Sequence, residues 1–264
     1  MDHRLTLLAC TALLGIHPAC TTEQHRQQIA QAVLLYLPFD GELAFRGSGS
    51  MGSASPARVK ETPGAHFDAQ GIHGSALHLE KTPLGPLPVT LGSRARSSGQ
   101  GWSGTLSFWL RLSPSESASC RLLELRPRGS VGGFVIEFLQ TRPPVLVVQA
   151  QCCAAKTGSA NSADLRVEPT RLQPDRWHQL SLAWANLDHR SHDAWLAVYL
   201  DGKLQATWKQ RPLALQCAWE QLDLYFGQGC QATLDEFALF DRPLSIAEIR
   251  TLWREPGLLA SRVP

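Results

Sequence analysis

The chain has 264 residues, 44% of them hydrophobic, with 25 basic against 23 acidic side chains and a net charge of +2. That length and apolar content can fill one large core, and a near-balanced charge with no segregated basic block excludes nucleic acid as a partner. Seventeen prolines, 21 glycines and eight tryptophans against three tyrosines suit many turns and a few large aromatic anchors rather than a helical bundle.

Arg4, the apolar stretch Leu5 to Ile16, and then Pro18-Ala19-Cys20 read as an export signal occupying residues 1–19. The stretch is too short to span a bilayer as a stable anchor. Cys20 directly follows a small residue and resembles the lipobox of bacterial lipoproteins, which implies lipidation at Cys20 and a lipid anchor to the membrane. An ordinary cleaved signal peptide and a buried apolar strand are the other readings. The expected location is outside the cytoplasm: periplasmic, outer-membrane-anchored or extracellular. Residues 20–33, polar and Gln-rich, are expected as a tether or a short helix.

From there, short β-branched, aromatic and leucine runs alternate with Gly, Pro, Ser and Asn clusters. Strands are predicted at Val33–Phe39, Ala76–Leu79, Gly104–Leu112, Cys120–Arg126, Gly133–Leu139 and Val145–Gln151. Five more follow at Trp177–Trp184, Trp195–Leu200, Leu204–Lys209, Gln221–Phe226 and Ala232–Phe240. Many short strands with regular turns imply an all-β, two-sheet antiparallel sandwich. Stretch 47–66, rich in Gly, Ser, Ala and Pro, reads as a surface loop. Asp201-Gly202 supplies the positive φ angles of a tight hairpin turn. Near the end, Ser245 and Glu248 have capping-box spacing and open the apolar run Ile246, Ile249, Leu252, Trp253, which predicts one short helix.

If residues 1–19 are removed and Cys20 is lipidated, Cys120, Cys152, Cys153, Cys217 and Cys230 remain, so one or two disulfides and a spare thiol are open. Cys217 and Cys230 flank Leu222–Phe226 and are placed to staple that strand to its turn. Adjacent Cys152 and Cys153 would point to opposite faces of a strand. No Cys-x-x-Cys or His-x-x-x-His spacing accompanies them, which speaks against zinc.

Six segments carry a family resemblance. Tyr36-Leu-Pro-Phe-Asp-Gly41 resembles the opening strand of laminin-G-like domains, and Gly71-Ile-His-Gly-Ser-Ala-Leu-His-Leu79 their Gly-x-x-Gly-x-Ala-Leu strand. Ser107-Phe-Trp-Leu110, Arg176-Trp-His178 and Val198-Tyr-Leu-Asp-Gly202 are similar to central strands and a hairpin. Leu234-Asp-Glu-Phe237, then Arg242-Pro-Leu-Ser-Ile-Ala-Glu-Ile249, resembles the closing strand and helix. The resemblance spans residues 34–254, leaves 255–264 as a tail, and implies a concanavalin A-like jelly roll. It implies carbohydrate binding, adhesion or contact with cell-surface proteins. It also implies one structural calcium held by Asp40 and Asp235, although Gly41 stands where the pattern often has a second acid.

Catalytic constellations are not evident. Asp235 and Glu236 are adjacent, and on a regular strand would face opposite ways, whereas a glycosidase needs two carboxylates converging on one bond. No Glu-x-Asp-x-Glu or Glu-x-Asp-x-x-Glu run and no Gly-x-Ser-x-Gly elbow on a strand occurs, and Glu116, Glu124 and Glu137 are isolated. A non-catalytic binding or scaffold module is therefore expected, with a glycosidase or lyase on the same fold as the alternative. Asp188-His-Arg-Ser-His-Asp193 reads as a solvated hairpin loop or, through His189 and His192, a transition-metal site. Trp109, Trp177 and Trp184 read as core; Trp102, Trp208 and Trp219, nearer turns, are the candidate exposed platforms for a sugar ring.

Overall fold

The computed structural model describes residues 18–48, 50–51, 63–92, 94, 102–114, 119–129, 132–151, 162–167, 172–187, 193–209 and 219–264. In chain order these form α1 (Pro18–Gln31), β1 (Val33–Leu37), β2 (Ser50–Met51), β3 (Ala65–Asp68), β4 (Ala76–Glu80), β5 (Leu84–Thr90), β6 (Gly104–Leu112) and β7 (Cys120–Pro127). They continue with β8 (Gly133–Leu139), β9 (Val145–Gln151), β10 (Ser162–Val167), β11 (His178–Ala185), β12 (Trp195–Leu200), β13 (Lys203–Lys209), β14 (Gln221–Gln228), β15 (Gln231–Phe240) and α2 (Ile246–Arg254).

The strands build two antiparallel sheets, the expected jelly-roll sandwich. One has eight strands in the order β13-β12-β11-β6-β15-β4-β3, with β1 also on β15; the other has seven, β10-β9-β8-β7-β14-β5-β2. β15 is the pivot of the first sheet. Its residues 231–234 pair with β4 and residues 237–240 with β1, while β6 runs along its other side. The change of partner falls at a bulge where Glu236 takes a φ of 53°. A bulge breaks strict alternation, so the simple rule that Asp235 and Glu236 oppose each other does not govern this strand.

Four strands were not predicted: β2, β3, β5 and β10. β5 carries Pro86 and Pro88, which depress strand propensity, yet it pairs with β14 through Leu87 and Val89. β2 and the start of β3 lie in the stretch read wholly as loop.

Two apolar cores flank the eight-stranded sheet. The larger lies between the sheets and includes Leu37, Leu79, Phe108, Phe134, Leu182, Trp184, Phe226 and Leu234. The smaller covers the outer face with Ile29 of α1, Tyr36 of β1, Phe240 of β15, Ile249 and Leu252 of α2, and Leu258, Leu259 and Val263 beyond it. β1 and β11 are buried along their whole length; β1 reads as a continuous apolar run, while β11 also buries His178, Gln179 and Ser181.

Both ends of the fold are packed against the sandwich. Residues 20–33, expected as a tether or short helix, form most of α1, which is docked. Arg26 donates from Nε and Nη2 to Glu255 at 2.8 Å each, and Arg262 donates to Glu23 at 2.7 Å. Residues 255–264 are a packed strap rather than a tail, because Leu258, Leu259 and Val263 complete the second core. Among the described residues, two helices, α1 and α2, therefore pack on the sandwich. α2 begins as predicted: Ser245 Oγ accepts the Glu248 N–H and the Glu248 carboxylate accepts the Ser245 N–H at 2.7 Å.

The cysteine pairing also needs correction. Cys230 is bonded to Cys120, with Cα atoms 5.0 Å apart, and not to Cys217, which lies outside the described residues. Cys120 opens β7 and Cys230 sits between β14 and β15; the β14–β7 register places Gln228 opposite Arg121, which brings the two sulfurs together. Cys152 and Cys153 lie outside the described residues.

Candidate ligand-binding site

Asp40 and Asp235 do converge, as the resemblance implies, but on the protein's own backbone. Asp235 is fully buried; its Oδ2 accepts the N–H groups of Ile72 at 2.9 Å and His73 at 3.2 Å, and its Oδ1 that of Glu236 at 2.8 Å. Asp40, exposed, accepts the Ser75 N–H at 3.1 Å. The two acids thus brace loop 71–75 from opposite sides. The glycines of that loop are needed there: a Cβ on Gly71 would lie 2.7 Å from Asp235 Oδ2, and one on Gly74, at φ +66°, would overlap Asp40 Oδ1.

This arrangement does not fit calcium. The ion takes six to eight oxygen ligands, whereas the atoms facing the Asp235 carboxylate are N–H donors, positive where a cation would sit. Among the described residues no group of three or more His, Cys, Asp or Glu is placed to hold a metal.

Glu236 is equally engaged. Its Oε1 accepts the Tyr36 hydroxyl at 2.6 Å, its Oε2 accepts the Gly257 N–H at 3.1 Å, and His73 Nδ1 is 3.8 Å away. Burial pushes the Asp235 carboxyl up to about 8 against the pull of its N–H partners, and burial also raises Glu236. Tyr36 is raised by burial and by the neighbouring Glu236 charge. Both acids present their oxygens to protein donors, so their chemistry is that of a clamp on β15.

The tryptophans exchange roles. Trp102 and Trp219, expected as exposed platforms, are 4% and 3% exposed and stack on each other with centroids 3.5 Å apart. Trp184 and Phe134 close the cluster at 4.6 Å and 5.1 Å from Trp102. Nearness to a turn misled, since the two residues lead into the interior strands β6 and β14 and their rings turn into the space between the sheets. Trp208, on β13, is half-buried against the larger core. Trp177, expected in the core, is only half-buried and carries the Arg111 guanidinium over its ring at 5.1 Å. Trp109 and Trp184 are core residues, as expected.

Of the remaining candidates, Cys20 falls in the first turn of α1. His189, His192, Asp188 and Glu116 lie outside the described residues. Glu124 and Glu137 belong to an ion-pair lattice on the outer face of the seven-stranded sheet. There Arg121 donates to both of them, Arg126 pairs with Glu124, and Arg126 also stacks over Tyr225 at 5.1 Å. No described helix is long and apolar enough to cross a membrane.

The site that sequence reasoning missed is a cleft of about 660 Å³ where α1, the β1 entry, loop 47–48 and the C-terminal strap meet. Its polar wall comprises Glu23, Gln27, Gln31, Arg94 and Arg262, and its apolar floor Ala30, Val33, Val263 and Pro264. The volume lies within the usual 300–1,000 Å³ of small-ligand sites. Arg94 is oriented by Asp241 and the Gln31 carbonyl, and Arg262 by Glu23, so both guanidinium planes are fixed before any ligand arrives. No motif announces this set, because it joins residues from four separate parts of the sequence, 23–33, 47–48, 94 and 262–264.

No family model matches the chain, and no curated protein matches it. Solved structures do. The binding domain of Paraclostridial Mosquitocidal Protein 1 superposes with a TM-score of 0.58 at 12% identity, covering 86% of this chain and 52% of that one. The botulinum neurotoxin serotype D ligand binding domain, in complex with N-acetylneuraminic acid, gives 0.55 at 12% identity over 87% and 52%. The receptor binding domain of botulinum neurotoxin D gives 0.57 at 12% identity over 86% and 53%. The chain spans about half the length of these structures. Likeness at this identity shows the β-sandwich fold, and the neighbours that share it are binding domains.

Proposed function

We propose that the chain is an exported, non-catalytic binding module that takes a glycan, free or on a cell-surface protein, in the cleft between α1 and the C-terminal strap. The observation that carries this reading is a wall of planar amide, carboxylate and guanidinium groups in which Arg94 and Arg262 are already held by Asp241 and Glu23. Such groups offer paired donors and acceptors at the spacing of vicinal sugar hydroxyls, above a small apolar floor. Groups held in place before binding lose less conformational entropy on complex formation. The binding-domain neighbours support the same class of function.

Export is supported by the Leu5–Ile16 stretch and by the Cys120–Cys230 disulfide, a bond that persists in oxidising compartments. Cys20 is the proposed lipid acceptor. The enzyme alternative gains nothing from Asp235 and Glu236, whose oxygens already hold protein donors.

A glycan array with the purified chain tests the proposal, followed by titration of the best glycan. Gln27→Ala and Arg94→Ala are expected to weaken binding by tenfold or more. Binding unchanged in both variants, or no glycan bound at all, overturns the assignment of this cleft.

A further inference from the structure

β3 and β4 place two histidines directly opposite each other: the register pairs His66 with His78, and their rings lie with centroids 4.8 Å apart at an interplanar angle of 44°. Directly opposed cross-strand residues are the closest side-chain neighbours a sheet offers. His66 is exposed and His78 half-buried, so the pair opens to solvent at the edge of the eight-stranded sheet. That edge lies apart from the cleft, and no step of the binding reading uses it.

The ring of His78 is already oriented. Its Nδ1 lies 3.0 Å from Thr233 Oγ1 on the next strand, β15. A Nδ1–H donated to that hydroxyl leaves Nε2 with its lone pair outward. This is the arrangement found around metal-binding histidines, whose second ring nitrogen is held by an outer partner. Glu80 and Asp68 bear on His78 with negative charge, and Arg111, which pairs with Asp68 at 3.4 Å, bears on it with the opposite sign.

We propose that His66 and His78 form a two-nitrogen site for a divalent transition-metal ion such as Zn²⁺, with water completing the coordination. A tetrahedral ion with Zn–N bonds of about 2.0–2.1 Å holds two imidazole nitrogens about 3.3 Å apart, a separation that rings 4.8 Å apart at the centroids reach by small χ rotations. Imidazole is a ligand that zinc, copper and nickel share, so the site selects the class rather than one metal.

Calorimetric titration of the full chain with Zn²⁺ in a non-chelating buffer tests this. The wild type is expected to bind one equivalent that His66→Ala and His78→Ala each weaken at least tenfold, while a His189→Ala/His192→Ala variant retains it. Thr233→Val, which removes the outer partner and no ligand, is expected to cost 10- to 100-fold. His66 is exposed, so its variant keeps the fold, and matching circular dichroism confirms that. Unchanged Zn²⁺ affinity in His66→Ala overturns the site, as does loss of the equivalent in the His189→Ala/His192→Ala variant.

Discussion

Asp201 enters the two-residue turn between β12 and β13 with a φ of 51°, followed by Gly202 at 69°, the pair of positive angles that a type I′ hairpin requires. Its carboxylate also reaches back to β11, accepting the Gln179 N–H at 3.0 Å and meeting His178 Nδ1 at 2.8 Å. His178 Nε2 in turn accepts the Gln173 N–H, so Nδ1 carries the proton. The Trp-His and Asp-Gly segments, separate signals in sequence, are thus two halves of one hydrogen-bonded joint. The turn was legible because it depends on two adjacent residues. The joint was not, because its partners meet only once three strands are in register. Trp102 and Trp219 show the same limit, since local turn chemistry does not say on which face of the sheet a ring before a strand will lie.

Asp235 makes a pH prediction at this scale. Its folded-state value, about 8, exceeds the ordinary carboxyl value near 4, so the native state keeps a proton that the unfolded chain has released. The stability it contributes is complete below about pH 4 and is lost as pH rises towards 8, at up to about 1.4 kcal/mol per pH unit. The melting temperature of the wild type is therefore expected to fall between pH 5 and 8. Asp235→Asn should lose that component of the slope, at a cost of about 1–3 kcal/mol because its amide NH₂ must face an N–H. A wild-type profile no steeper than that of the variant refutes the assignment.

Among the elements, those with an apolar pattern of their own were legible and those made by their neighbours were not. Gly104–Leu112, Gly133–Leu139, Val145–Gln151 and Trp195–Leu200 have the limits read from sequence. β5 hides behind two prolines, and its strand character comes from pairing with β14. α1 is polar over most of its length, and its docking rests on Ile29, fully buried, and on Arg26 and Glu23 at the strap. Ile29→Ala should cost about 2–5 kcal/mol, the usual range for truncating a large buried side chain. Arg26→Ala, removing an exposed ion pair that solvent screens, should cost far less. Urea denaturation of both variants checks the order; an equal cost would mean that α1 is held by charge rather than by packing.

For the whole molecule, the disulfide is the long constraint. Cys120 and Cys230 are 110 residues apart, so their bond closes a large loop between the two sheets' central strands. Chain-entropy arguments assign such a loop about 4–5 kcal/mol, the upper end of what native disulfides supply. Cys120→Ser with Cys230→Ser is expected to lower the denaturant midpoint accordingly and to raise the m-value, since the unconstrained unfolded chain exposes more surface. The sandwich itself was legible because strand counts and turns are local statements. The second core was not, since it needs both ends of the chain to fold back on one face.

That folding back has a practical side. Val263 and Pro264 line the cleft, and the Pro264 carbonyl accepts the Gly47 N–H at 3.4 Å. Any affinity tag, fluorophore or surface linkage attached after Pro264 would emerge at the mouth of the cleft and compete sterically with whatever enters it. Immobilising the chain through an exposed residue of the seven-stranded sheet keeps that mouth clear.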